Sequence, residues 1–322
     1  MVPGKRLAPT LGERAWVHSG VRILNILQVI DVTSDVLFIH HQPSLRNIGD
    51  ELCSPKHYFS FESGGRRVAV LGGGVFSDLG QHALAAAGVA PQDAVLWAIG
   101  RSNTVKDSVM PAIAQLPHAG WGLRDIDGVI DKDRFLPCVS CLHPMLDDGI
   151  DGGGTLLFLN ADPRVTPRQE LRQLSRIARA RGWNILLNDC SDSEMRAALR
   201  LNERVITNSF HGAYWGLLSG HQVAIAGYSS KFDSLLRAFG LEGGEVVRYE
   251  KARRPRLIDR ILHRGSSGLC QSVERSARGD MWLSLPSSRE VLTRFRNLNL
   301  AFAEAQVRSG AFAAVLPLSF GP

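Results

Sequence analysis

Several short segments combine residue types that can move protons or hold anions. In Thr207-Asn208-Ser209-Phe210-His211-Gly212 a polar run ends in a histidine followed by a glycine. Histidine is the side chain whose ordinary pKa best suits proton transfer near neutrality. Tyr228-Ser229-Ser230-Lys231 adds a point positive charge, and Gly100-Arg101 and Gly122-Leu123-Arg124-Asp125 add two guanidinium groups. Paired guanidinium N–H groups grip a carboxylate or a phosphate through parallel hydrogen bonds. Asn47-Ile48-Gly49-Asp50 sets an amide and a carboxylate around a glycine, as at a helix start whose N–H groups can face an anion. Gly72-Gly73-Gly74 lets backbone approach a ligand closely. Plainer readings stand beside each of these. Asp50 can be a helix cap, the glycines a packing device, Arg124 half of a surface ion pair with Asp127, Lys231 a decoration of a helix start, and His211 a hydrogen-bonded structural residue.

These segments follow apolar runs that read as strands. Asp35–His40, Arg67–Leu71 and Asp93–Ile99 are such runs in the first half, and shorter strands and turns are expected at Gly120–Arg124 and Pro137–Pro144. The chain around Glu51–Phe59 opens a helix. Asp151–Gly154 reads as a linker, after which the pattern restarts: strands at Thr155–Asn160, Asn184–Asn188, Arg204–Thr207 and Val223–Tyr228 alternate with helices at Pro167–Arg181, Ser191–Arg200, Gly212–Ser219 and Phe232–Phe239. Ser191 and Glu194 have the spacing of a capping box. Such alternation indicates an α/β fold with parallel sheets, in which ligands bind beyond the carboxyl ends of the strands. The expected division is a Rossmann-like unit over residues 1–150 and a second over 151–322. A helix at Ser287–Arg308 packs back on the first unit, and an irregular tail runs over Ser309–Pro322.

Composition narrows the function classes. Over 322 residues, 44% hydrophobic and 21% charged is ordinary for a globular chain, and a net charge of +6 is modest. No nucleic-acid-binding signature accompanies it, so nucleic acid is not an expected partner. The glycine runs match neither GxGxxG nor a P-loop. The five cysteines are scattered, and Cys138-Val-Ser-Cys141 lacks an evident set of further ligands, since only His143 is near; it reads as a buried turn, and no metal is expected. Val21–Val32 is too short and too polar to span a bilayer. The expected location is cytoplasmic, with the basic stretch Lys251–Arg264 compatible with peripheral contact with the inner membrane face.

The order Asn47-Ile48-Gly49-Asp50, Leu71-Gly72-Gly73-Gly74, Gly122-Leu123-Arg124-Asp125, Thr207–Gly212 and Tyr228–Lys231 resembles the polysaccharide pyruvyltransferase family over roughly residues 35–240. The resemblance implies two Rossmann-like, doubly wound domains facing a cleft, as in GT-B glycosyltransferases. It also implies transfer of the pyruvyl group of phosphoenolpyruvate to sugar hydroxyls of an exopolysaccharide or its lipid-linked precursor, as a ketal. It places His211 on the family's acid/base histidine and Arg124 near an arginine associated with phosphoenolpyruvate. Where many members have Ser-Arg-x-His, this chain has Asn208-Ser209-Phe210-His211, so Arg101, Arg124 or Lys231 must carry more of the anion binding. Asp50 is the candidate base toward the sugar hydroxyl. Asn47, Gly73, Gly74, Asn208 and Ser209 complete the expected substrate contacts. No cofactor is expected besides the donor substrate. A sugar-nucleotide glycosyltransferase of the same architecture and a non-catalytic binding member are the alternatives.

Overall fold

The computed structural model describes residues 27–30, 35–41, 45–72, 84–100, 118–126, 134–241, 246–250 and 268–319. Of the sequence expectations, Gly73, Gly74, Arg101, the Asp127 partner of Arg124 and the basic stretch 251–264 lie outside these residues.

Among the described residues the fold is mixed α/β, with two five-stranded sheets. The first has the order β1-β2-β4-β5-β6, formed by Leu27–Ile30, Val36–His41, Val68–Gly72, Ala94–Ile99 and Gly120–Leu123. β2, β4, β5 and β6 run parallel, and β1 closes the edge antiparallel to β2. Every residue of β4 and β5 is buried, the mark of parallel strands covered on both faces. At the end of β5, Ala98 adopts a left-handed backbone (φ 52°) where the pairing with β6 shifts register. That conformation costs an alanine roughly 1 kcal/mol and is tolerated only where surrounding structure enforces it.

The second sheet is parallel throughout, in the order β11-β10-β9-β7-β8. Its strands are β7 (Gly154–Leu159), β8 (Asn184–Leu187), β9 (Asn202–Thr207), β10 (Gln222–Gly227) and the short β11 (Val247–Arg248). The short helix α1 (Ile48–Leu52) belongs to the first half, after β2. In the second half, α2 (Arg168–Arg181), α3 (Asp192–Leu201), α4 (Phe210–Leu218) and α5 (Lys231–Ala238) follow β7, β8, β9 and β10 in turn. α3 starts from the capping box at Ser191 and Glu194, with both reciprocal hydrogen bonds made. α2 ends at Gly182, whose left-handed φ of 66° needs no Cβ. Next come α6 (Leu269–Ser276) and α7 (Ser288–Arg308).

α7 is shared by both halves. Phe295 packs against Tyr214 and Phe239 of the second half, while Ala303 joins Trp97 of β5 in one core cluster. Asn299, with no exposed surface, accepts the Trp97 indole N–H at 2.8 Å and donates to the carbonyls of Pro137 and Phe295. Replacing Asn299 by Leu strands that indole N–H, so chemical denaturation should show a loss of roughly 1–3 kcal/mol.

Three expectations change at this level. The tail expected to be irregular contains β12 (Ala314–Pro317), paired antiparallel with β3 (Phe59–Glu62) in a separate two-stranded sheet. The segment around Glu51–Phe59 does not extend as one helix: α1 stops at Leu52, a single 3₁₀ turn follows at Pro55–His57, and β3 begins at Phe59. Pro55 and the β-forming Phe-Ser-Phe run enforce that break. Likewise Pro137–Pro144 holds no strand but a 3₁₀ turn at Val139–Leu142.

Candidate functional site

The polar segments all follow carboxyl ends of parallel strands: α1 after β2, Arg124 after β6, His211 after β9 and Lys231 after β10. The first and second halves meet through these segments. The Ile48 N–H donates to the Asn188 carbonyl at 2.8 Å, and the Asn188 amide donates to Asn47 Oδ1 at 3.0 Å. Asn47 also caps α1, accepting from the Gly49 N–H, and its own amide donates to Asp50 Oδ2 at 2.8 Å. The cap therefore also aims the Asp50 carboxylate.

His211 lies in the first turn of α4 and is 5% exposed. Its ring is boxed in. It tilts on Trp215 at 5.3 Å between centroids, and a Cβ added to Gly49 would fall 2.1 Å from Nδ1. Nε2 faces two thiols, Cys53 Sγ at 3.2 Å and Cys138 Sγ at 3.8 Å. Burial, the neighbouring Cys138 and Asp50 push the Cys53 thiol well up. Burial also opposes ionisation of Cys138, yet hydrogen bonding from Cys53 and His211, with the charge of Arg124, holds that thiol well below its usual value. No spacing rule links these three residues, since Cys53 lies 158 positions and Cys138 73 positions from His211. Cys141, the other half of the CxxC, turns the opposite way and accepts from Asn299, and burial raises its thiol to about 12. His143 turns Nε2 toward Asp192 at 3.4 Å, and its Nδ1 accepts the Met145 N–H at 3.2 Å.

Arg124 flanks the cluster, and Lys231 lies within electrostatic reach of Arg124. Arg124 is buried, lies 4.6 Å over the ring of Phe210 and reaches Asp125 at 3.8 Å. Burial works against its charge, but Asp125, the two cysteine sulfurs and Asp50 outweigh that and hold its pKa above the ordinary value. Gly100 makes room for it, since a Cβ there would meet the guanidinium at 2.7 Å. Lys231 is half-buried, donates to the Tyr228 hydroxyl at 2.7 Å and lies 4.6 Å over the Tyr228 ring. Burial first, then the charge of Arg124, lower its pKa to about 8, against a smaller opposing pull from Asp50 and Asp125. A lysine whose charge is disfavoured by a neighbouring guanidinium marks a place where an anion would be welcome.

The remaining expected contacts hold the frame. Asn208, with no exposed surface, accepts from the Asn160 N–H and donates to Thr166 Oγ1 and the Tyr249 hydroxyl, tying down the loop after β7. Ser209 is the buried N-cap residue of α4; its N–H donates to Thr207 Oγ1, and its side chain makes no capping bond. Surface cavities of about 610 Å³ beside Arg289 and Arg294 of α7, and about 460 Å³ beside Arg204 and Trp282, lie away from this cluster.

No protein-family model and no curated protein matches the chain. Among solved structures the chain is similar to the glycotransferase of kitacinnamycin, at 13% identity and a TM-score of 0.38, over 76% of this chain and 74% of that one. That likeness is too distant to carry an argument about activity. Among the described residues no helix is long and apolar enough to cross a membrane.

Proposed function

We propose that the chain is a transferase that uses phosphoenolpyruvate to place a pyruvate ketal on a glycan. The observation that carries this reading is that Arg124 and Lys231, on segments that follow strand ends, lie within electrostatic reach of each other and of Asp50. Phosphoenolpyruvate bears a carboxylate and a phosphate, and a site for it needs two cationic grips. Arg124 suits the planar carboxylate and Lys231 the phosphate. Ketal formation adds a proton to the enol methylene and a sugar oxygen to C2, expels phosphate, and closes with a second hydroxyl. In this reading the proton comes from the cluster centred on His211, and Asp50 accepts the proton of the attacking hydroxyl. The acceptor is a glycan or lipid-linked oligosaccharide.

The test is transfer of labelled pyruvate from phosphoenolpyruvate to a panel of lipid-linked and free glycans. His211→Ala should lower the rate at least ~100-fold, within the range that acid–base groups contribute. Wild-type failure across the panel, or full activity of the variant, overturns the reading.

Lys231 gives a second handle. A bound anion favours its charged form and raises its pKa, so binding takes up a proton where the free site is half-protonated. Calorimetry at pH 8 in buffers of different ionisation enthalpy should report uptake of about 0.5 proton per phosphoenolpyruvate, from a free-site pKa of about 8. Affinity should be full below pH 8 and fall as the pH rises through it. An uptake of zero at pH 8 would separate Lys231 from the donor site.

A further inference from the structure

The cluster of Cys53, Cys138 and His211 has a feature that pyruvyl transfer does not require. Its three ligand-type atoms lie within 4.8 Å of one another and come from three different parts of the chain, and all three residues are at least nine-tenths buried. We propose that this cluster is a Cys₂His site for a zinc-class divalent cation.

Three observations support it. The first is spacing. Zinc bonds of ~2.3 Å to sulfur and ~2.0–2.1 Å to nitrogen in a tetrahedron put sulfur and nitrogen ~3.6 Å apart. The two sulfurs stand 3.2 and 3.8 Å from Nε2, on either side of that value, so a metal can be seated by small side-chain rotations. The second is orientation. Trp215 and Gly49 fix the His211 ring with Nε2 turned to both sulfurs. Ser140 Oγ accepts the Trp215 indole N–H at 3.0 Å, which leaves its own proton for Cys138 Sγ at 3.2 Å. A hydroxyl donor to a ligating sulfur is the kind of outer contact that orients and tunes a metal thiolate. The third is charge. A divalent ion with two thiolates is neutral, and the charged groups around it, Asp50 and Asp125 against Arg124 and Lys231, offset one another. A buried site with that balance avoids an uncompensated charge.

Three protein ligands leave one position for water or a substrate oxygen, as catalytic zinc sites do. The catalytic consequence rests on the reading of pyruvyl transfer above; metal occupancy does not. With Cys53, Cys138 and His211 holding the ion, a bound water with a pKa of ~7 would supply the acid chemistry that His211 then could not, and Asp50 would take the proton of the attacking sugar hydroxyl.

The experiment is anaerobic cobalt titration of the reduced, chelator-stripped full chain. The expected result is saturation at one ion per chain, with a thiolate-to-cobalt charge-transfer band and the visible bands of tetrahedral cobalt. Cys53→Ser and Cys138→Ser should each weaken zinc binding at least ~100-fold and lose charge-transfer intensity, because a serine hydroxyl is a poor ligand for this ion. Cys141→Ser, outside the set, should keep both signals. If a ligand variant fails to fold by thermal melting, X-ray absorption of the zinc-loaded wild type decides the matter by showing two sulfur neighbours and one imidazole nitrogen. A reduced wild type without the charge-transfer band overturns the proposal. So does undiminished binding by both serine variants, or a zinc spectrum without sulfur neighbours. Metal binding without pyruvyl transfer sinks only the functional reading; transfer by a chain that binds no metal sinks only this one.

Discussion

Gly49→Ala should abolish most activity while leaving the chain folded. The backbone at Gly49 does not require a positive φ, so the cost comes from one steric conflict. The new Cβ would lie 2.1 Å from His211 Nδ1, 2.6 Å from Cγ and 3.0 Å from the histidine Cβ. The ring has nowhere to retreat, with Trp215 on one face and two cysteine sulfurs at its edge. Either the ring rotates off its thiol partners or α1 shifts away from Asn188 and carries Asp50 with it. On the proposed function, each outcome moves a reacting group by about 1 Å, a displacement that can cost about 100-fold in rate. The same overpacking should lower stability by roughly 1–3 kcal/mol. Gly153→Ala is the matched control, because a Cβ there meets nothing within 4 Å. It should fall within about ±0.5 kcal/mol of wild type and retain activity. Steady-state kinetics and denaturation of the two variants check the pair, and a Gly49→Ala enzyme with wild-type kcat/KM would show that the position of the His211 ring does not limit the reaction.

The same contact shows how far the sequence could be read. The parallel strands of the second sheet, their helices and the Ser191 capping box are written in local pattern, because burial on both faces and the first turn of a helix depend on neighbours in sequence. The polar segments at the strand ends were legible for the same reason. β12 was not, since Ala314–Pro317 becomes a strand only by pairing with β3 far upstream. The thiol cluster was invisible too. Cys53 lies 158 positions from His211 and Cys138 lies 73, so no spacing rule links them. The visible CxxC is split between two environments, because the turn at Val139–Leu142 sends Cys138 toward His211 and Cys141 toward Asn299. A cysteine placed directly after Asn-Ile-Gly-Asp-Glu-Leu was the one available signal.

Arg124→Met should show whether the two cations act as one anion site. Methionine keeps much of the apolar packing on Phe210 and removes the charge. Two consequences follow from different parts of the environment. On the proposed function the donor loses its guanidinium grip, and truncating one member of a buried charge pair typically costs about 2–5 kcal/mol in binding, or ~30- to several-thousand-fold in KM for phosphoenolpyruvate. Stability should also fall, because Asp125 stays buried without the charge 3.8 Å away. A purely structural role for Arg124 would produce that second effect without any change in titration. The discriminating readout is therefore the pH profile. Arg124 is among the groups that depress Lys231 to about 8, so its removal should move the alkaline limb of phosphoenolpyruvate binding to higher pH. Arg124→Lys restores a charge but not the paired N–H geometry or the stack on Phe210, so it should keep the limb near its wild-type position and still bind the donor weakly. If Arg124→Met leaves that limb where it is, Arg124 and Lys231 do not sense each other in solution, and the case for a shared anion site fails.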